Sequence, residues 1–168
     1  RVLPAWSDAT PGRDIVDGMY AFALEESCQY AEAERLGRSA VERHPDDIWA
    51  IHAVAHVLEM QGRLSDGIEW LERPLDHWDD RNPFKGHLWW HLALFHLEKG
   101  DYDRVLALYD DAVRPAQSNF YLDIQNTSSL LARLEFAGVD VGDRWNDLAE
   151  VAVERHGDHA LIFTEPHC

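Results

Sequence analysis

A glycine recurs at the same point of a repeated pattern in this chain, at Gly62, Gly100 and Gly138, at intervals of 38 residues. The stretches Ala50–Gly62 and Gly86–Gly100 each carry two histidines four residues apart and end at that glycine. Residues four apart share one face of an α-helix, and a glycine after a helical stretch ends the helix and turns the chain. The pattern therefore constrains the chain to short helices joined by tight turns.

The predicted helices follow one another in pairs. The second helix of a pair opens at Tyr30, Leu64 and Tyr102, at intervals of 34 and 38 residues. No segment alternates between apolar and polar residues for long enough to predict a strand. From the helical recurrence of apolar residues, the helices are predicted at residues 14–27, 30–43, 47–61, 65–78, 84–99, 102–113, 121–137 and 143–155.

This period, with a large residue after each turn and small residues such as Ala55 and Ala93 at helix crossings, is typical of tetratricopeptide repeats. It predicts an all-α fold, a tetratricopeptide-like α-solenoid of about four antiparallel helix pairs, whose first helices line a concave groove. We expect one helical-repeat domain over residues 1–168, as part of a longer protein. Its repeats are predicted at residues 13–45, 46–83, 84–118 and 119–156, with the start of a further helix at 158–168.

The composition excludes several classes of partner. The 168 residues include 31 acidic and 15 basic side chains, which gives a net charge of −16. Such a charge repels phosphate backbones and anionic lipid heads, so we expect no nucleic-acid and no membrane partner. No apolar run approaches the roughly 20 residues of a membrane span. The two cysteines suggest no disulfide framework, and no signal peptide is evident, so we expect a cytoplasmic protein.

Several stretches also resemble one particular family of repeat proteins. They are Gly18–Glu26, Ala50–Gly62, Trp89–Asp101, Val141–Trp145 and, near the end of the chain, Asp158–Phe163. Together they resemble the tetratricopeptide repeat protein 38 family, and the resemblance extends over nearly the whole chain. It implies a longer helical-repeat protein, of which this chain is an interior or C-terminal portion. It implies a fold and does not imply a reaction.

The repeat register predicts which side chains face the groove. Adjacent helices pack about 8–10 Å apart, so side chains on neighbouring first helices can meet. We therefore expect the two histidine pairs to converge on one cavity, with at least one of Glu25, Glu59 or Asp123 within hydrogen-bond reach of an imidazole. The candidate groove residues are Phe22, Glu25, His52, His56, Glu59, His87, Trp90, His91, Asp123 and Asn126.

The histidine pairs admit three interpretations. In the first, the imidazoles form hydrogen bonds inside the repeat interface and have a structural role only. In the second, His52, His56, His87 and His91 hold a divalent metal, the one cofactor that such spacing suggests, with a carboxylate completing the coordination. In the third, His52, His56 or His91 is a general base whose tautomer a carboxylate fixes. The HExxH motif of zinc peptidases is absent.

Other ring-bearing residues are interpreted as part of the core. His96 stands where the repeat requires a bulky residue. The same interpretation covers Trp49, Trp70, Trp78 and Trp145, because tryptophan in a helical protein is usually buried for most of its surface.

Two functions fit these residues. One is a binding scaffold whose groove takes a peptide segment of a partner protein or a small molecule, as helical repeats commonly do. The other is an enzyme or metal-site protein that uses the histidine and carboxylate cluster for hydrolysis or proton transfer on a small molecule. The predicted groove is rich in histidine, carboxylate and tryptophan, which favours a small-ligand pocket.

Overall fold

The computed structural model describes residues 6–7, 10–72 and 84–155, and within them all regular structure is helical. These ranges contain no β-strand, which confirms the all-α prediction for this part of the chain. By contact, the chain divides into two compact units, residues 1–85 (unit 1) and 86–168 (unit 2). The predicted arrangement as a single solenoid stays a prediction.

Unit 1 contains four helices, α1 (Arg13–Glu25), α2 (Tyr30–Arg43), α3 (Ile48–Met60) and α4 (Leu64–Leu71). The first three pack against one another, and α3 also packs against α4. The start of α3 is set by Asp47, whose Oδ1 accepts hydrogen bonds from the backbone N–H groups of Trp49 and Ala50, both over 3.1 Å. These bonds satisfy backbone N–H groups that have no acceptor within the helix at its N-terminus.

The central position of α3 depends on close approaches by its neighbours. A Cβ atom at Gly18 of α1 would lie 2.6 Å from Asp47 Oδ2, and one at Gly37 of α2 would lie 2.7 Å from Val54 Cγ2. Only glycine leaves room for contacts this short. Ala55 on α3 has no exposed surface, as the repeat pattern predicts for a crossing point.

Unit 2 contains α5 (Lys85–Glu98) except for its first residue, and continues with α6 (Tyr102–Leu108), whose end passes into a single π-helical turn at Tyr109–Val113. It then contains α7 (Tyr121–Phe136) and α8 (Arg144–Arg155), and α7 packs against both α8 and the π-helical turn. The sequence predicts one helix over residues 102–113. The extent is confirmed, but its last five residues are π-helical.

The turn glycines act as the repeat pattern predicts. Gly62, Gly100 and Gly138 follow α3, α5 and α7, with φ angles of 65°, 78° and 80°. This left-handed conformation ends a helix without the steric cost of a side chain.

Several predicted features lie outside the described residues. They are the second half of the helix predicted at residues 65–78, Trp78, the inter-repeat loop before Phe84 and the helix start predicted at residues 158–168. Within the described ranges, no helix has the length and apolar character needed to cross a membrane.

Candidate functional site

The first histidine pair lies on α3 of unit 1. His52 is buried and His56 is partly buried, and the centroids of their rings are 4.2 Å apart. This contact follows from the helix itself, because residues four apart stand one above the other on the same face.

A buried carboxylate from α1 faces this pair. Glu25 is 5% exposed, and its Oε2 lies 3.4 Å from Nδ1 of His56. This is the carboxylate–imidazole contact that the repeat register predicts. Burial raises the pKa of the Glu25 carboxyl, and the negative charges of Glu26 and Glu59 raise it further. Glu59 thus lies close enough to act on Glu25 through its charge.

Aromatic rings surround the α3 histidines. The Phe22 ring lies 5.1 Å from the His52 ring and 5.3 Å from the His56 ring, measured between centroids. Phe84 lies 5.0 Å from His52 and stacks on Trp49 at 4.8 Å. Trp49 is 39% exposed, so its interpretation as a core residue is wrong. It instead extends the aromatic wall beside the histidines.

The second histidine pair lies on α5 of unit 2 and forms a continuous hydrogen-bond chain with α7. The Nε2 atoms of His87 and His91 are 3.1 Å apart, and Nδ1 of His87 lies 3.1 Å from Oδ1 of Asn126. When the amide oxygen accepts a hydrogen bond from Nδ1–H of a neutral His87, Nε2 of that ring accepts a hydrogen bond from Nε2–H of His91. Asn126, 4% exposed, thereby selects the tautomer of His87.

A cleft of about 820 Å³ opens beside His87 in unit 2. Its walls include Trp90, which stacks on the His87 ring at 5.2 Å with 17° between the planes. The guanidinium of Arg133 lies 6.0 Å from the Trp90 ring centroid, within the range of a cation–π contact. Phe136 and Trp145 add two further aromatic side chains.

Two polar atoms in the walls of this cleft are buried without a hydrogen bond. They are Nε1 of Trp90 and Nδ2 of Asn126, and neither has a partner among the residues that the structure describes. Both are donors. Buried donors are almost always paired in proteins, so two on one cleft indicate a place for a ligand or water acceptor.

The remaining predicted residues have other roles. Asp123 accepts a hydrogen bond of 2.6 Å from Oγ of Ser118, and burial raises the pKa of its carboxyl, against the opposing effects of that bond and of Arg114. His96 is 8% exposed and Trp70 is 5% exposed, which confirms both as core residues. Trp145 lines the cleft and is only partly buried, so it is not a simple core residue.

Sequence reasoning missed Phe84, Arg133, Phe136 and Trp145 as members of the two sites. Phe136 is 90% exposed at the end of α7, and this exposure is apparent only in the structure. The predicted convergence of the two histidine pairs concerns residues of different units and stays a prediction.

No model of a known protein family matches the chain. The functional assignment therefore depends on the geometry of the two histidine pairs and their neighbours within each unit.

Proposed function

We propose that this chain is part of a tetratricopeptide-type helical-repeat protein of the kind it resembles, and that it serves as a binding module. The repeat spacing, the left-handed glycines after α3, α5 and α7, and the buried alanines at the predicted crossings support this proposal. In this proposal the ligand site is the cleft of unit 2, and the ligand is a small molecule with an apolar body and a carboxylate end.

The observation that carries the proposal is the pair of unsatisfied donors in the walls of the cleft, Asn126 Nδ2 and Trp90 Nε1. Leaving a buried donor without a partner costs about 1–3 kcal/mol. In this arrangement the amide oxygen of Asn126 is engaged with His87 over 3.1 Å, which leaves the amide nitrogen without a partner among the described residues. A ligand oxygen that reached these donors after small side-chain movements would recover that free energy, so acceptor-rich ligands are favoured.

The charged residues that line the cleft favour a ligand whose hydrogen-bond acceptor is negatively charged. In a chain with a net charge of −16, none of the described residues that line the cleft is an aspartate or a glutamate. The lining includes one cation, Arg133, beside the Trp90 ring. A carboxylate would therefore meet donors and a positive charge here, while most of the surface repels it.

The shape and the apolar walls support an aromatic or aliphatic body. A volume of about 820 Å³ lies in the range of pockets that hold small molecules. Trp90, Phe136 and Trp145 offer ring faces to such a body, and Phe136 stands almost fully exposed without it. Covering exposed aromatic surface is favourable by about 25 cal/mol per Å².

Calorimetric titration with phenylbutyrate and with its uncharged amide tests the proposal. We expect the acid to bind and the amide to bind at least about tenfold more weakly, a difference of about 1.4 kcal/mol. Asn126→Asp keeps an acceptor for His87 but replaces the free donor by a negative charge, so it should abolish binding of the acid. Trp90→Phe, which keeps an aromatic ring but removes the indole N–H together with part of the ring surface, should weaken it.

Two matched variants test whether a positive charge in the cleft, and not the net charge of the chain, affects binding of the acid. Arg133→Gln and Arg35→Gln remove the same charge, but Arg35 is an exposed residue of unit 1 that pairs with Glu32. Only Arg133→Gln should weaken binding of the acid. Equal affinity of the acid and the amide for the wild-type protein, or full binding by a folded Asn126→Asp variant, would overturn the proposal.

The hydrogen-bonded histidines favour a second candidate function, proton transfer on the bound molecule. His87 lies on the cleft, and its Nε2 is 3.1 Å from Nε2 of His91, so a proton that His87 takes from a water molecule in the cleft can be shared with His91. A general base of this type would hydrolyse an activated ester such as nitrophenyl butyrate faster than buffer does. We expect His91→Asn to remove that excess rate, and an unchanged rate in the variant would exclude this function.

A further inference from the structure

Three side chains of unit 1 form a group that the ligand cleft does not use. Glu25 and Glu26 end α1, and His56 reaches them from α3. Each offers one ligand atom, and these atoms all lie within 4.8 Å of one another. We infer that Glu25, Glu26 and His56 form a binding site for a divalent transition-metal ion of the Zn²⁺ class, with solvent water completing the coordination.

The spacing of these atoms suits such an ion. Zn²⁺ binds imidazole nitrogen and carboxylate oxygen at about 2.0–2.2 Å, which places neighbouring ligand atoms roughly 3–4 Å apart. Oε2 of Glu25 and Nδ1 of His56 are already separated by 3.4 Å. Two of the three ligands therefore stand at the required spacing, and Glu26, an exposed residue, closes the site from the solvent side.

The burial of Glu25 is a second and independent observation. The residue is 5% exposed, and its Oε2 is fully buried without a hydrogen bond to any residue of the described ranges. Glu26 and Glu59 add two negative charges nearby. A buried anion in such surroundings is costly unless a cation compensates it. A bound divalent ion would neutralise the charges of Glu25 and Glu26 together.

The ligand set discriminates between classes of metal. An imidazole nitrogen with two carboxylates suits Zn²⁺, Co²⁺ and their neighbours, whereas Ca²⁺ requires six to eight oxygen ligands and Mg²⁺ prefers oxygen and water. The Phe22 ring stands edge-on to His56 at 5.3 Å, which restricts movement of the imidazole. Such restraint orients a ligand before the metal arrives.

Titration of the whole chain with zinc chloride, followed by calorimetry, tests this site. Because other histidines of the chain can also bind zinc, the decisive quantity is the difference between matched variants. Glu25→Gln and Glu26→Gln should each remove one zinc ion per chain or weaken its binding by about tenfold or more. Glu32→Gln, an exposed residue on α2 with the same change of charge, should bind zinc as the wild-type protein does.

Cobalt gives a readout that does not depend on stoichiometry. Addition of Co²⁺ should produce visible absorption bands in the wild-type protein, and the bands should shift or vanish in His56→Gln. Calcium should not compete. Unchanged zinc affinity and stoichiometry in a folded Glu26→Gln variant would overturn the site even if the Glu25 and His56 variants failed to fold. The result is independent of phenylbutyrate binding, which concerns unit 2.

Discussion

Nη2 of Arg43 donates a hydrogen bond of 2.9 Å to Oδ2 of Asp17, and this bond joins the last turn of α2 to the first half of α1. The other carboxylate oxygen of Asp17 accepts from Nε of Arg13 over 2.8 Å. Asp17 is 2% exposed, so a buried carboxylate has both oxygens engaged by cations. The pairing links two helices of unit 1 and stabilises their contact.

Asp17→Asn should lower the free energy of unfolding by about 1.5–3 kcal/mol, because hydrogen bonds to charged groups contribute that much and an amide nitrogen would face an arginine donor. Chemical denaturation measures the change. Glu32→Gln is the control, since the Arg35–Glu32 pair is exposed to solvent and such pairs contribute little to stability. An equal loss in both variants would contradict a special role for Asp17.

Ala55→Leu and Ala93→Leu should each lower stability by about 1–3 kcal/mol, because both alanines are fully buried and a larger side chain overpacks the contact. The melting temperature reports the effect. Ala31→Leu, at an exposed position of α2, should leave the melting temperature nearly unchanged. Unchanged melting of the two core variants would show that the predicted helix crossings do not lie at these residues.

Tyr109→Phe should leave stability unchanged or raise it by up to about 1 kcal/mol. The hydroxyl of Tyr109 is buried and has no hydrogen-bond partner within the described part of the chain. Burial also raises the pKa of this phenol to about 12. Thr127→Val is the contrasting variant, because the Thr127 hydroxyl donates to the carbonyl oxygen of Asp123 over 2.6 Å. A similar loss of stability in the two variants would show that the Tyr109 hydroxyl has an energetically important partner.

Asp47→Asn should become more stable relative to the wild-type protein as the pH rises above 3.8, the ordinary pKa of an aspartate. Burial raises the pKa of Asp47 above its ordinary value of 3.8, although its two backbone hydrogen bonds oppose the shift. The folded protein then holds the proton more tightly than the unfolded chain does. The stability that Asp47 contributes is therefore complete below the unfolded pKa and is lost as the pH rises through the folded pKa.

Asparagine keeps the oxygen that caps α3 and carries no charge at any pH, so it does not suffer this loss. Urea denaturation of both proteins at matched pH values and constant salt gives the difference directly. If the free energy of unfolding of the wild-type protein increased relative to that of Asp47→Asn as the pH rose, the raised pKa of Asp47 would be contradicted.

The helices themselves could be predicted closely from local signals. Residues 47–61 and 121–137 were predicted as helices, and α3 and α7 cover Ile48–Met60 and Tyr121–Phe136. The capping carboxylate of Asp47 and the glycines that follow α3 and α7 set these ends through contacts within a few residues. Such contacts depend on the order of residues along the chain, so they can be read without the fold.

The contact within each histidine pair is local for the same reason. His52 with His56, and His87 with His91, meet because four residues make about one helical turn. The contacts that these histidines make with other helices were predicted only in part. Glu25 was predicted to face an imidazole and does so at His56. Nδ1 of His87 lies 3.1 Å from Oδ1 of Asn126, and this contact between two helices was not predicted from the sequence.

The amino-acid sequence by itself determined the helical class, the turns, the small residues at the predicted crossings and the histidine faces, because each of these depends on neighbours along the chain. The tertiary structure decided which side chains of other helices meet those faces, how far Trp49 and Phe136 are exposed, and where buried donors stand without partners. These properties depend on how helices approach and cross, and a shift of a few ångströms between two helices exchanges one partner for another.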